Sequence, residues 1–208
     1  MNLPKRLLDI GLALLLGLLL VPVLALLALL ALALQGRPVF YLSERMQTPT
    51  RAFSLIKLRS MTVATTDRGV SGSDKAGRIT PLGRFLRRTR ADEIPQLWNI
   101  LRGDMSFVGP RPPLRIYVER FPALYSQVLR NRPGVTGLAS VVYHRHEERL
   151  LAGCDTADET DALYARVCVP RKARLDLIYA RRQSLCFDMV LIGRTALGVF
   201  GGHRRPRR

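Results

Sequence analysis

The sequence contains few of the residues that build disulfide frameworks, zinc sites and histidine-based catalytic centres. It has three cysteines and three histidines in 208 residues. The cysteine spacing matches neither a disulfide framework nor a CxxC metal site, and the histidines have no supporting triad. Unpaired cysteines favour a reducing, cytoplasmic compartment, in which each is expected to be a small buried side chain. The chain also lacks glycine-rich βαβ units, which argues against a Rossmann nucleotide-binding domain.

Acidic residues are scarce as well. The 16 Asp and Glu residues stand against 33 Lys and Arg residues, which gives a formal net charge of +17 at pH 7. This excess predicts a polyanionic partner, and nucleic acid, anionic lipid and phosphorylated substrates fit the charge equally well. A chain of 208 residues is long enough for one compact domain with an appendage.

Charged residues are absent from residues 10–34, which are mostly Leu, Ala, Val and Gly. The run is long enough for a bilayer, which takes about 20 residues. Basic residues on both flanks favour two cytoplasmic ends. Pro22 removes a backbone hydrogen bond near the middle, as a helix that re-enters through one leaflet requires. A kinked spanning helix is the alternative, because proline is tolerated in membrane helices.

The acid pair Asp92-Glu93 lies between arginines in residues 87–112, RRTRADEIPQLWNILRGDMSFVGPRP. Pro95 and the apolar spacing after it predict a helix with the acids at its positive N-terminal end. This end and the preceding arginines are expected to keep Asp92 ionised, so that it can attack an electrophile or hold a metal. The alternative is that Asp92 only caps the helix.

Two further stretches carry candidate phosphate ligands. Residues 39–61 predict a hairpin in which Lys57 and Arg59 lie about 7 Å apart on one face, either as phosphate ligands or as a solvated face. Residues 109–113 predict a stiff turn, because proline fixes φ, and this turn presents Arg111 for bidentate phosphate recognition. Taken alone, such a turn is equally typical of an ordinary protein surface.

The remaining stretches have weaker patterns. Apolar residues at helical spacing in 116–129 predict short amphipathic helices on a membrane, with buried core helices as an equal alternative. Residues 185–200 predict an interfacial or core helix that is too short for a second span. Residues 65–77 predict a mobile loop, and the basic tail at 203–208 predicts disorder and binding to anionic lipid.

Five motifs follow one another along the chain: Lys-Arg-Leu-Leu-Asp before the apolar helix, FSLIKLRSM at 53–61, residues 77–112, RPGVTGLAS at 132–140 and residues 175–195. Together they resemble the bacterial sugar transferases, specifically the small monotopic polyprenyl-phosphate phosphoglycosyl transferases. The resemblance covers nearly the whole chain. Departures from the family pattern are Val21, where serine often precedes the helix-breaking proline, and GLASV at 137–141 in place of GWAQV.

The resemblance implies an α+β, mainly helical fold with a small strand component and amphipathic interfacial helices. Residues 1–36 would form a re-entrant membrane helix that breaks at Pro22. Residues 37–202 would form a membrane-associated catalytic domain on the cytoplasmic face of the bacterial inner membrane, followed by the basic tail at 203–208.

The resemblance also implies a reaction, in which a sugar 1-phosphate passes from a UDP-sugar to polyprenyl phosphate and UMP is released. It makes Asp92 the covalent nucleophile and Glu93 its partner, and both acids are implied Mg²⁺ ligands. The implied partners are the two substrates and membrane lipid, and not nucleic acid. The resemblance places phosphate-facing residues at Lys57, Arg59, Arg87, Arg88, Pro110, Arg111 and Pro112.

Two other functions remain open from the residues themselves. A membrane-anchored basic binding protein would explain the charge but not the acid pair. A magnesium-dependent membrane phosphohydrolase would use Asp92 without a lipid acceptor. The sequence does not specify the sugar, the polyprenol length, the pathway or the oligomeric state.

Overall fold

The computed structural model describes residues 2–63 and 77–200. The loop predicted at 65–77 lies, except for Gly77, outside the described residues, and so does the tail at 203–208. Helices are α1 (Leu3–Gln35), α2 (Pro81–Thr89), α3 (Gln96–Arg102), α4 (Arg115–Arg120), α5 (Pro122–Val128), α6 (Leu138–Leu151), α7 (Ala157–Leu163), α8 (Val169–Arg182) and α9 (Leu185–Phe200). Strands are β1 (Phe40–Met46), β2 (Ala52–Leu58), β3 (Ser106–Val108) and β4 (Gly134–Thr136). The predicted mainly helical fold with small sheets is confirmed for this part of the chain.

The β1 and β2 strands form the predicted antiparallel hairpin, with Tyr41 directly opposite Lys57. The β3 and β4 strands pair in parallel. This pairing brings the turn at residues 109–113 so close to the start of β4 that a side chain at position 134 would not fit. A Cβ atom on Gly134 would lie 2.2 Å from the backbone nitrogen of Gly109. These glycines therefore allow the turn that carries Arg111 to pack directly against the start of β4.

Helix α1 runs without interruption from Leu3 to Gln35, with Pro22 in its interior. The helix therefore does not end at Pro22, where the break was expected, because proline removes a single backbone hydrogen bond and membrane helices tolerate it. By length and composition it could cross a membrane. Its N-terminal half packs on the protein body through Ala13, in a cluster with Ile100 and Met105. Most leucines on its other sides are exposed, among them Leu14, Leu15, Leu18, Leu19, Leu26 and Leu29.

Polar side chains fix the N-terminal end of α1 to three other elements. Lys5 forms a buried ion pair with Asp188 of α9. Asp9 accepts hydrogen bonds from the Ser106 hydroxyl and the Phe107 amide of β3, at 3.0 and 3.1 Å. The Arg6 guanidinium donates to the carbonyl oxygens of Ile100 and Leu101 at the end of α3, at 2.6 and 2.8 Å.

The C-terminal end of α1 is fixed to the same body. Leu27 packs with Leu58 of β2 and Leu86 of α2. The Arg59 guanidinium donates hydrogen bonds to the last carbonyl groups of the helix, those of Gln35 and Gly36. Because a helix end leaves its final carbonyls unpaired, Arg59 acts as a side-chain cap.

Helices α4 and α5 correct one prediction. Tyr117, Val118, Tyr125 and Val128 are buried in the protein core and do not form an apolar face towards lipid. The core alternative is therefore the correct one for these two helices. Helical periodicity did not distinguish the two, because protein and lipid are equally apolar partners.

Helix α9 packs on the body through Leu191, while Leu185, Met189, Val190 and Leu197 are exposed. The cysteine prediction is only partly correct. Cys154 and Cys168 are buried, but Cys186, in the first turn of α9, is exposed.

Candidate active site

Asp92 and Glu93 lie in a 3₁₀ turn between α2 and α3. Arg90 ends α2 with a left-handed backbone, at φ 59° and ψ 15°, and turns the chain into the 3₁₀ segment. Non-glycine residues rarely adopt this conformation, and such strain is concentrated at functional sites. The predicted helix after Pro95 is confirmed, but its N-cap is Pro95 without a side-chain cap hydrogen bond. The alternative in which Asp92 only caps this helix is therefore wrong.

Glu93 is held by cations from three segments. Its Oε1 atom lies 2.8 Å from Lys57 Nζ and 3.0 Å from Arg111 Nη2, and its Oε2 atom lies 3.7 Å from Arg90 Nη1. Burial alone would raise the pKa of Glu93, but the three cations outweigh burial and hold this pKa well below its ordinary value. Glu93 is therefore an ionised carboxylate that connects the hairpin to the turn carrying Arg111.

Asp92 has a different environment from its neighbour. It is 7% exposed, and no residue in the described ranges donates a hydrogen bond to its carboxylate. Burial raises the pKa of Asp92, and Glu93 adds to this effect, while Lys57, Arg87 and Arg111 oppose it. The cations favour ionisation, as expected, but removal from water outweighs them, so the net shift of the Asp92 pKa is upward and not downward. The ionised form of Asp92 is therefore a more basic carboxylate than an ordinary aspartate.

The remaining predicted ligands divide into two groups. Arg87 faces Asp92 and donates a 2.9 Å hydrogen bond to the Ser60 hydroxyl. Arg111 projects from a turn in which Pro110 and Pro112 are buried. Arg59, in contrast, caps α1, and Arg88 is exposed on α2. The fold therefore brings Lys57, Arg87 and Arg111 to the acid pair, while Arg59 and Arg88 remain predictions without this support.

Two residues near the site were not singled out from the sequence. Arg45 of β1 and Gln96 of α3 line a small cavity together with Lys57 and Arg111. Strand alternation could have revealed Arg45, because residues 41, 43 and 45 share one face of the hairpin with residues 53, 55 and 57. Gln96 had no comparable signal.

One histidine also lies near these cations. The Nε2 atom of His144 of α6 lies 3.3 Å from the Oε1 atom of Glu148 on the same helix. Burial lowers the pKa of His144, and Arg90 and Arg111 add to this effect. The arginines of the site therefore act on a histidine for which the sequence indicated only a surface or structural role.

Comparison with known proteins identifies the family of the chain. A family model described as bacterial sugar transferase matches residues 1–202. The chain belongs to the bacterial sugar transferase family. Its relatives include proteins named as transferases that move a sugar phosphate to undecaprenyl phosphate.

The UDP-glucose:undecaprenyl-phosphate glucose-1-phosphate transferase of Escherichia coli (strain K12) is 35% identical over 202 residues, which is 95% of this chain and 40% of that protein. The protein of the same name from Caulobacter vibrioides is 34% identical over 199 residues, 93% of this chain and 68% of that protein. A UDP-N-acetylgalactosamine-undecaprenyl-phosphate N-acetylgalactosaminephosphotransferase of Aeromonas hydrophila is 32% identical over 171 residues, 79% of this chain and 36% of that protein. The chain thus spans about a third to two thirds of the length of the curated relatives it matches.

Proposed function

We propose that this chain transfers a sugar 1-phosphate from a UDP-sugar to polyprenyl phosphate, with undecaprenyl phosphate as the natural acceptor. The products are a polyprenyl-diphosphate sugar and UMP, which makes this the first membrane step of bacterial glycoconjugate or exopolysaccharide synthesis. The observation that carries the proposal is the difference between the surroundings of the two acids. Glu93 is held by cations, whereas Asp92 receives no hydrogen bond from the described residues.

In the proposed first step, a carboxylate oxygen of Asp92 attacks the phosphorus that carries the sugar. The bond from this phosphorus to the UMP oxygen breaks, and UMP leaves with the electron pair. Aspartate is known to form covalent intermediates of this kind. Burial supports this role, because the raised pKa of Asp92 makes its ionised carboxylate a stronger nucleophile. In the second step, a phosphate oxygen of polyprenyl phosphate attacks the same phosphorus and releases Asp92.

Cations around the acid pair are suited to the charge that develops in both steps. Lys57, Arg87 and Arg111 all act electrostatically on Asp92. Fixed charges directed at the reacting group stabilise a transition state without reorganisation. Glu93 is assigned a positioning role, because it holds Lys57 and Arg111 in place through one oxygen atom.

Magnesium is part of the proposal, with Asp92 and Glu93 as its protein ligands. Within the described residues, no group of three or more His, Cys, Asp and Glu side chains is arranged to hold a metal. This fits Mg²⁺, which is commonly bound by one or two carboxylates together with substrate phosphates. Asp92 has a carboxylate available for this purpose, while Glu93 Oε1 is already occupied by Lys57 and Arg111. When bound, Mg²⁺ would neutralise charge on the diphosphate.

The proposed location is the cytoplasmic face of the bacterial inner membrane, with α1 as a re-entrant helix and the protein monotopic. Support comes from the two ends of α1, which both contact one body, Lys5 through its ion pair with Asp188 and Gln35 through its hydrogen bond with Arg59. A helix that crossed the bilayer would carry one end to the opposite face. Exposed apolar side chains on α9 provide a second surface suited to lipid.

The decisive experiment follows UMP release from a panel of UDP-sugars by purified protein with Mg²⁺ and undecaprenyl phosphate. We expect UMP and a lipid-linked diphosphate sugar from the wild type, and neither product from Asp92→Asn. Without acceptor, the intact mass of the wild type should increase by one sugar phosphate.

The rival functions give different results in the same assay. A phosphohydrolase would release free sugar phosphate or phosphate without an acceptor, and a binding protein would release no UMP. Wild-type activity in Asp92→Asn would contradict the proposed mechanism.

A further inference from the structure

Arg45 lies at the site although neither the acid-pair motif nor the proline-flanked arginine turn includes it. The β1–β2 pairing places Arg45 opposite Phe53 and Ser43 opposite Leu55. Paired residues of an antiparallel hairpin project from the same face, and alternate residues share that face. Arg45 is therefore on the side of the hairpin from which Lys57 reaches Glu93.

The contacts of Arg45 leave its charge uncompensated. Its Nε atom donates a 3.2 Å hydrogen bond to the Ser43 hydroxyl, and its Nη1 atom lies 3.5 Å from the Pro112 carbonyl oxygen. No carboxylate in residues 2–63 or 77–200 forms an ion pair with Arg45. Burial lowers the pKa of Arg45, and the nearby positive charge of Arg111 lowers it further. Arg45 is half-buried beside Arg111, whose side chain is 38% exposed, and two neighbouring guanidinium groups repel each other unless an anion lies between them.

A small cavity lies where such an anion would bind. Arg45, Lys57, Arg111 and the amide-bearing Gln96 all line a cavity of about 20 Å³. A volume of this size holds one water molecule or one oxygen atom. The acid nearest to these groups is Glu93, which is bonded to Lys57 and Arg111 and not to Arg45. Three cations and no carboxylate line the cavity, so it favours a negative charge.

We propose that Arg45, together with Lys57 and Arg111, binds a phosphate oxygen of a substrate. This assignment rests on the proposed function, because both substrates of that reaction carry phosphate. A guanidinium can donate two parallel hydrogen bonds to phosphate oxygens, which matches a site already bordered by a second arginine. The phosphate comes either from the UDP-sugar or from the polyprenyl phosphate, and the kinetics of the reaction distinguish the two.

The test measures kcat/KM separately for the two substrates in Arg45→Gln, Arg45→Lys and the control Arg51→Gln. In a two-step mechanism with a covalent intermediate, kcat/KM for the UDP-sugar reports only the first step and kcat/KM for polyprenyl phosphate only the second. We expect Arg45→Gln to lower one of the two values about 10- to 100-fold, as for a lost hydrogen bond to a charged group. Arg51 lies exposed in the turn of the same hairpin, so its variant removes the same charge without this loss.

The Lys variant separates phosphate binding from a structural role. Arg45→Lys retains the charge but not the paired donors, and we expect it to recover part of the lost kcat/KM. If Arg45→Gln does not fold, Arg45→Lys alone decides, since a lower kcat/KM for one substrate supports phosphate binding. Unchanged kcat/KM values for both substrates, in whichever variant folds, would overturn the assignment. The proposed function fails in a different way, because the wild type itself would then release no UMP.

Discussion

Lys57 and Glu93 form a 2.8 Å ion pair between strand β2 and the 3₁₀ turn that follows α2. Both side chains are largely removed from solvent, at 18% and 8% exposure. Burial lowers the pKa of Lys57, and Glu93 opposes this effect most strongly. The pair therefore keeps a buried lysine charged beside Asp92, and each member depends on the other.

Removal of one member of this ion pair should lower the free energy of unfolding. We expect Glu93→Gln to reduce the free energy of unfolding by about 3 kcal/mol, because Lys57 would remain buried without its acid. UMP release should fall together with stability, because Lys57 and Arg111 lose the group that holds them. Glu44→Gln is the matched control, since it removes an exposed 2.8 Å ion pair with Arg115, worth about 0–1 kcal/mol. Equal losses in the two variants would show that the Lys57–Glu93 pair has no special role.

Asp92→Asn should abolish the reaction and leave the fold intact. The neutral amide removes the cost of a buried carboxylate that no described residue stabilises by a hydrogen bond. We therefore expect the Tm of metal-free Asp92→Asn to equal or exceed that of the wild type, while UMP release is lost. A large decrease in Tm would mean that Asp92 supports the fold, and the loss of activity would then not identify a nucleophile.

Asp176 of α8 predicts a pH dependence of stability that is independent of the acid pair. Burial raises the pKa of this aspartate from 3.8 to about 7, and Lys172 only partly opposes it. A carboxyl group whose pKa is higher in the folded state than in the unfolded state contributes its full stabilisation below the unfolded-state pKa. This contribution is lost as the pH rises through the folded-state pKa.

The corresponding measurement is Tm for wild type and Asp176→Asn, well below and well above pH 7. We expect the variant to gain Tm relative to the wild type only at the higher pH, by an amount equivalent to a few kcal/mol. Asp158→Asn on α7 is the control, because this aspartate is exposed. The same difference between wild type and Asp176→Asn at both pH values would refute the assignment.

Arg59 and Lys57 are two positions apart but should respond differently to substitution. Arg59 holds the carbonyl groups of Gln35 and Gly36, whereas Lys57 holds Glu93. We expect Arg59→Gln to lower Tm with little change in kcat/KM for the UDP-sugar, and Lys57→Gln to lower both Tm and this kcat/KM. A larger kinetic effect from Arg59→Gln would support direct phosphate binding by Arg59.

The orientation of α1 can be tested with an epitope tag at each end of the chain. In sealed membrane vesicles with the cytoplasmic face outward, protease should remove both tags, because both ends of α1 contact the same body. Protection of one tag in intact vesicles and its loss after detergent treatment would establish a spanning helix. A luminal marker protein reports whether the vesicles remain sealed.

The sequence predicted local features of the fold well. The β1–β2 hairpin follows from its alternation and turn, and the helix after Pro95 follows from the apolar spacing of its residues. These features depend on neighbouring residues, so a short stretch of sequence contains the required information.

Features that depend on distant contacts could not be predicted in the same way. Arg59 occurs in the phosphate-binding pattern, but the structure places it at the end of α1, a segment far away in the sequence. The pKa direction at Asp92 depends on burial, which charge patterning does not report. Arg45 shares a hairpin face with Lys57 that alternation could have revealed, but its proximity to Arg111 depends on a separate segment.

The contact between Leu27 and Leu58 has a consequence for regulation by the lipid environment. Leu58 directly follows Lys57, so the strand that presents this lysine rests on the helix proposed to lie in the bilayer. A thicker or thinner hydrocarbon layer changes the tilt of such a helix. The position of Lys57 relative to Asp92, and with it the turnover rate, should therefore vary with acyl-chain length even when both substrates are saturating.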